Sequence, residues 1–176
     1  MNINHNKLKI REANISDSDI LFKWWNDGEV MAHAGFPNGL NISYQEIEEL
    51  ISNKSDKVVL RHIIVFDNLP IGEMHYRYHD NDIYEIGIKI CDSSYQNKHI
   101  GRTALSLFIE NLFEVKEAKK IILDTNLNNA RSRHVYELLG FKLIRINYDS
   151  FKDALDNLNS SVDYELSREN FIKLVE

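Results

Sequence analysis

Residues Ile83 to Leu105 read IYEIGIKICDSSYQNKHIGRTAL, and they decompose into a strand, a polar loop and a turn that opens a helix. Ile83 to Ile90 alternates, with Ile83, Glu85, Gly87 and Lys89 on one face and Tyr84, Ile86, Ile88 and Ile90 on the other, the period of a two-faced strand. From Gly101 an amphipathic run places Leu105, Phe108, Ile109, Leu112 and Phe113 along one helical stripe. Between them, Gln96, Asn97, Lys98, His99, Ile100, Gly101 and Arg102 set backbone N–H groups and two cations at a helix start. The unpaired donors and the helix dipole both favour an anion there, so a phosphate cradle is the sharp reading and an ordinary strand–turn–helix the bland one. Neither GxxxxGK[ST] nor GxGxxG fits the stretch.

Outward from this stretch the chain is ordinary for one globular domain spanning residues 1–176. It has 176 residues, 43% hydrophobic and 27% charged, enough to bury a sizeable core. A net charge of −6 argues against binding to nucleic-acid phosphates, which require a basic face. No apolar run suits a bilayer, the first five residues do not resemble a signal peptide, and a cytoplasmic address with no membrane partner is expected. The single cysteine, Cys91, excludes an internal disulfide and, lacking a basic partner, is disfavoured as a nucleophile. The seven histidines show no metal-ligand spacing, so no metal is expected; His75 and His79 share a strand face and read as structural.

Lys7 to Glu12 alternates as a first strand, and Asn14 to Asp17 caps a helix carrying Ile20, Leu21, Trp24 and Trp25 that ends at Asn26–Gly28. Gly35 to Asn41 is a loop, and Ser43 with Glu46 forms a capping box for a second helix reaching Ser52. Val58–Phe66 and Ile71–His79 form a hairpin through Asp67–Pro70, and Asp80–Asp82 turns into the strand at Ile83. Ile121–Leu123 is a buried strand, Asn129–Leu139 a helix stopped by Gly140, and Phe141–Tyr148 and Val162–Ser167 are closing strands. Phe151–Leu158, between them, is open to a helical reading. The order is β-α-α-β-β-β-α-β-α-β-β, a single-domain α/β fold with a mixed central sheet flanked by helices.

Two segments carry a resemblance to the GNAT N-acetyltransferases. The loop resembles that family's Q/R-x-x-G-x-G/A segment, with Gln96 and Gly101 matching and His99 at the first glycine's position. Asn126 to Phe141, NLNNARSRHVYELLGF, resembles its N-x-x-A-x-x-x-Y-x-x-x-G-F segment through Asn129, Tyr136, Gly140 and Phe141, with Ser132 at the alanine position. The resemblance runs from Lys7 to Phe171. KWWND at Lys23–Asp27 and DYELSRENF at Asp163–Phe171 give it the flavour of ribosomal-protein alanine, polyamine and aminoglycoside 6′-type acetyltransferases.

The resemblance implies a GNAT fold and transfer of an acetyl group from acetyl-coenzyme A to a primary amine by direct attack in a ternary complex. It implies that amides of Gln96 to Arg102 hold the pyrophosphate and that backbone groups of Ile88, Lys89 and Ile90 hold the pantetheine arm and polarise the carbonyl. Asn129 would also reach that arm, or cap its own helix, and Ser132 would face the cofactor one turn before Tyr136. Lys98 and Arg102 would add charge-assisted donors.

Only about 0.1% of an amine is unprotonated at neutral pH, so the chemistry needs a base, and the departing thiolate needs an acid. Tyr136 is the acid candidate, or an aromatic packing on Phe141. Glu85 is the base candidate, or a surface glutamate paired with Arg77 or Lys89. Trp25, His33 and Asp82 are expected to border the acceptor, either a small-molecule amine or a protein N-terminus, with a homodimer left open. The readings that compete are a protein N-terminal acetyltransferase and a catalytically idle coenzyme A-binding regulatory module.

Overall fold

The computed structural model describes residues 1–53 and 59–175. Its strands are β1 (Asn2–His5), β2 (Leu8–Glu12), β3 (Leu60–Phe66), β4 (Leu69–His79), β5 (Ile83–Ile90), β6 (Lys120–Asn126), β7 (Lys142–Lys152) and β8 (Leu158–Ser167). The helices are α1 (Ser18–Trp25), α2 (Gly28–Met31), α3 (Tyr44–Ser52), α4 (Ile100–Glu114) and α5 (Ala130–Leu138). The strands form one mixed sheet in the order β1-β2-β3-β4-β5-β6-β8-β7. Val58, the expected start of a strand, lies outside the described residues, and β3 begins at Leu60.

Local sequence accounts for the helix ends. The Ser43 amide donates to Glu46 Oε2 at 2.8 Å and the Glu46 amide returns to Ser43 Oγ at 3.3 Å, the reciprocal box that starts α3. Arg11 grips Asp17 at the start of α1 with two bonds of 2.6 and 2.7 Å, and this fork, opposing the cost of burial, holds the Asp17 carboxyl below the usual carboxylate range. Asp27 caps α2 through the amides of Glu29 and Val30. Gly140 follows α5 with φ of 95°, and a Cβ there would collide with the Asn170 carbonyl.

Two segments depart from the sequence reading. The chain adds an edge strand, β1, which pairs antiparallel with β2 through a turn in which Asn6 takes a left-handed φ of 52°. Phe151–Leu158 is not a helix: Phe151 and Lys152 finish β7, and the Asp153 carboxylate gathers the Leu155 and Asn157 amides into a turn before β8. Asp, Asn and a left-handed Asp156 give that segment turn chemistry that outweighs its apolar spacing.

The sheet's faces are buried differently. Tyr76, Tyr84, Ile86, Ile121, Leu123 and Tyr164 pack with α4 and α5 in the larger core. On the other face Ile63 joins Leu21, Trp24, Trp25, Met31, Ile47 and Ile51 of α1–α3. That second layer covers only part of its face. The strands beyond it carry Glu85, Asp124, Asp163 and Glu165, residues too costly to bury without a partner.

Candidate active site

The parallel ladder between β5 and β6 stops early. Ile83, Tyr84 and Glu85 pair with Lys120, Ile121 and Ile122, whereas β5 continues to Ile90 and β6 to Asn126. The two strands splay, leaving the β6-facing backbone groups of Ile88, Lys89 and Ile90 without partners on β6. An extended ligand can use such an edge as an added strand would.

At the splayed end of β5 the Gln96 amide group donates to the Ile90 carbonyl at 3.0 Å, and its oxygen accepts from Arg131 at 3.3 Å. The turn itself is made by Asn97 and His99, at φ of 60° and 62°, residue types that tolerate the left-handed region better than most. Gly101 is already helical. His99 offers no side-chain cap to α4, and the first turn of that helix carries no acidic residue. Arg102 Nε is buried there without a partner. An uncapped helix start beside an orphaned guanidinium N–H fits the pyrophosphate of acetyl-coenzyme A, with Lys98 and Arg131 nearby on the cavity wall.

Across the cleft, Asn129 Oδ1 accepts the Ser132 amide at 3.2 Å, capping α5, and its Nδ2 lies 3.5 Å from Thr125 Oγ1. Tyr136, 6% exposed, packs edge-on to Phe141 at 5.8 Å and against Tyr164 at 6.0 Å. Burial pushes its hydroxyl up to about 12, with the Asp124 and Tyr164 charges adding and a hydrogen bond to the Ser132 side chain opposing. It therefore carries its proton at any ordinary pH.

A cavity of about 1080 Å³ joins these parts. It brings together Ile88, Lys89, Ile90, Gln96 to Arg102, Asn129, Ser132, Tyr136, Trp25 and His33. Two expected residues are not in its wall. Glu85 shares the polar face but is held by His79 at 2.8 Å and Arg77 at 3.6 Å, and Asp82 pairs with Lys119 at 2.9 Å. The cavity instead exposes Arg61, Glu73, His75 and Asp124. Asp124 follows the apolar Ile121–Leu123 run on the polar face, and reading that strand as far as Asn126 would have found it. Glu73 and His75 sit opposite Lys89 and Gly87 across β4 and β5. Asp124 opens to the cavity, yet partial desolvation, then the charges of Glu85 and Asp163, raise its carboxyl above the usual range. Cys91 is buried, and burial first and Glu73 second push its thiol up, so it carries no thiolate.

Known proteins share this fold and place the chain in a family. Residues 7–142 match the model of the acetyltransferase (GNAT) domain family. A protein of Bacillus subtilis (strain 168) described as the uncharacterized N-acetyltransferase YnaD is 26% identical over 144 residues, covering 81% of this chain and 83% of its own length. The fold is shared with a spermidine N-acetyltransferase from Vibrio cholerae solved with CoA and spermine, at a TM-score of 0.83 and 19% identity over 94% of this chain and 98% of that one. It is shared equally with a ribosomal L7/L12 alpha-N-protein acetyltransferase solved with coenzyme A, at a TM-score of 0.83 and 15% identity over 95% and 98% of the two chains. With three-quarters of its length under the family model, the chain belongs to the GNAT acetyltransferases and is an acetyl-coenzyme A-dependent N-acetyltransferase.

Proposed function

We propose that the protein acetylates a primary amine, on a small molecule or a protein N-terminus, by direct attack with both substrates bound. The observation that carries this is the splay of β5 from β6, which opens between an uncapped helix start and a buried, protonated tyrosine. Acetyl-coenzyme A supplies the activated acetyl group. The amides of Gln96 to Arg102, with Arg102 and Lys98, bind its phosphates, and backbone groups of Ile88 to Ile90 align its arm. A backbone N–H on that edge polarises the reacting carbonyl. Asn129 and Ser132 line the opposite wall.

Two side chains move protons. Asp124 has a carboxylate facing the cavity and a basicity raised by partial desolvation and then by Glu85 and Asp163, so it takes the amine's proton directly or through water. Glu85, tied to His79 and Arg77, acts on Asp124 by charge rather than by contact with the amine. Tyr136 gives its hydroxyl proton to the departing sulfur. The dry surroundings that make its hydroxyl a weaker acid also make a thiolate a stronger base, so the transfer remains matched. The buried Cys91 thiol favours direct attack over an acyl-enzyme. We place the reaction in the cytoplasm.

Titration with acetyl-coenzyme A followed by thiol release against amines and Ala- or Ser-starting peptides tests this reading. Binding with amine-dependent thiol release is expected. Binding with no release for any acceptor would make the protein a coenzyme A-binding module.

A further inference from the structure

The α1–α2 end of the cavity holds one carboxylate between two cations. Glu73, 6% exposed, accepts the Trp25 Nε1–H at 2.9 Å through Oε1. Lys89 Nζ stands 3.6 Å from the same oxygen and Arg61 Nη1 3.8 Å from Oε2, both beyond hydrogen-bond reach. Lys89 Nζ instead meets Met31 Sδ at 2.8 Å, a thioether that accepts only weakly, and the Arg61 guanidinium lies 4.4 Å over the Trp25 ring. Both cationic side chains are about one-fifth exposed, at 23% and 21%, and both line the cavity. Two positive charges therefore share one carboxylate that the indole already engages, and the excess of one charge faces the acceptor space. His75 between them does not add to it. Desolvation, then Arg61, Arg77 and Lys89, push its imidazole down to about 3, so it is neutral. Glu29, the other acid on this part of the wall, is exposed to solvent.

The opposite wall carries a carboxylate, Asp124, beside Tyr136. A partly desolvated cation with too few acceptors is costly and gains most from an anion brought by a ligand. A polycation would place its second charge against Lys89 and Arg61. We propose that the acceptor is an amino acid-type zwitterion, whose amine runs to Asp124 and Tyr136 while a carboxylate on the same molecule is held by Arg61 and Lys89. This rests on the acetyl-transfer reading above and names its substrate class.

The experiment compares matched acceptors, namely amino acids with one to several carbons between amine and carboxylate, their amides, and the corresponding decarboxylated amines. Thiol release gives kcat/KM for each. In the wild-type enzyme the best acid should exceed its amide by roughly 10- to 150-fold, the worth of a charge-assisted contact. In Arg61→Gln and Lys89→Gln that ratio should fall to within a few-fold of unity. Because the ratio compares two acceptors on one enzyme, a general loss of activity cancels, and if a variant does not fold the wild-type ratio decides alone. Amides or decarboxylated amines used as well as the acids would overturn the proposal and leave acetyl transfer standing. A preference that survives both substitutions overturns the assignment to Arg61 and Lys89. Acetyl-coenzyme A bound with no acid acetylated sinks the substrate class, and no binding of acetyl-coenzyme A sinks the transferase reading as well.

Discussion

Replacing Tyr136 with Phe removes one oxygen from the proposed reacting centre and leaves the ring. The ring's contacts with Phe141 at 5.8 Å and Tyr164 at 6.0 Å do not need the hydroxyl. The hydroxyl's bond to the Ser132 side chain is a neutral pair worth about 0.5–1.5 kcal/mol net, which bounds the stability loss. The kinetic loss should be larger. General-acid assistance contributes roughly 10²–10⁴-fold, about 2.7–5.4 kcal/mol at 1.36 per decade. The hydroxyl titrates at about 12, so the wild-type enzyme keeps this acid protonated throughout a pH 6–10 assay and should show no alkaline fall from it. The assays are acetyl-coenzyme A binding by calorimetry, unfolding by denaturant, and quenched-flow single turnovers, since steady-state kcat also contains product release. Near-normal binding and a single-turnover rate down by that factor are expected. An unchanged single-turnover rate would refute the reasoning, make Tyr136 a packing residue and leave water to protonate the sulfur.

Asp124→Asn should lower kcat/KM by roughly 10²–10⁴-fold. Glu85→Gln should cost less and, by removing a negative charge that raises Asp124, move the acid limb of the pH–kcat/KM profile to lower pH; a greater loss at Glu85 would return the base role to it. Gly101→Ala should raise stability by about 0.5–1 kcal/mol, because the residue is helical and the new Cβ meets only Ile90, at 3.4 Å, while acetyl-coenzyme A binding weakens. An unchanged Kd in that variant would move the phosphates away from this helix start. His62, 1% exposed, is held neutral by burial with its imidazole down at about 4. The unfolded state therefore binds the extra proton between pH 6.5 and 4, and the histidine's stabilising effect, full above pH 6.5, is lost as pH falls, by roughly 2 kcal/mol at pH 5. His62→Phe should flatten that part of the stability–pH curve, measured by denaturant unfolding at pH 7 and 5, and equal slopes would count against it.

The parts that were legible in the sequence share a property, namely that their cause lies within a few residues. Ser43 and Glu46 announce α3, Gly140 ends α5, and alternation in Ile83–Ile90 sets which side chains share the polar face of β5. The Asn129–Tyr136 spacing likewise places both residues on one cavity wall. What escaped depends on partners far along the chain. Glu85 is open in the sequence to a pair with Arg77 or Lys89; the β4–β5 register sets Arg77 opposite it and adds His79, the partner that local reading does not supply. Arg61, Glu73 and Lys89 come from three strands and converge only because β3, β4 and β5 lie side by side. His99 is instructive in another way. It stands at a motif glycine's position, and its left-handed backbone keeps the turn while its side chain does not cap the helix, so the first amides of α4 have no side-chain competitor.

The cleft itself follows from a competition for β6. That strand pairs with β8 along its whole length, Lys120–Asn126 against Ser161–Ser167, but with β5 only over Lys120–Ile122. The strand β8 reaches it because the chain runs out along β7 and folds back at Asp153–Asn157, so that β8 inserts between β6 and β7. Following β8 carries the far half of β6 away from β5. An unpaired strand edge inside a sheet is ordinarily a liability, since its donors and acceptors lose solvent without gaining partners. Here the start of α4 and the length of α5 flank the gap, and the cavity runs along it from Gln96 to Tyr136. In our reading the ligand's amide-bearing arm completes the ladder that β6 abandons, so binding uses backbone geometry and leaves the neighbouring side chains to proton transfer and acceptor choice. In the same reading Asp124 takes the amine's proton, while Arg61 and Lys89 are the side chains on which the choice of amine depends.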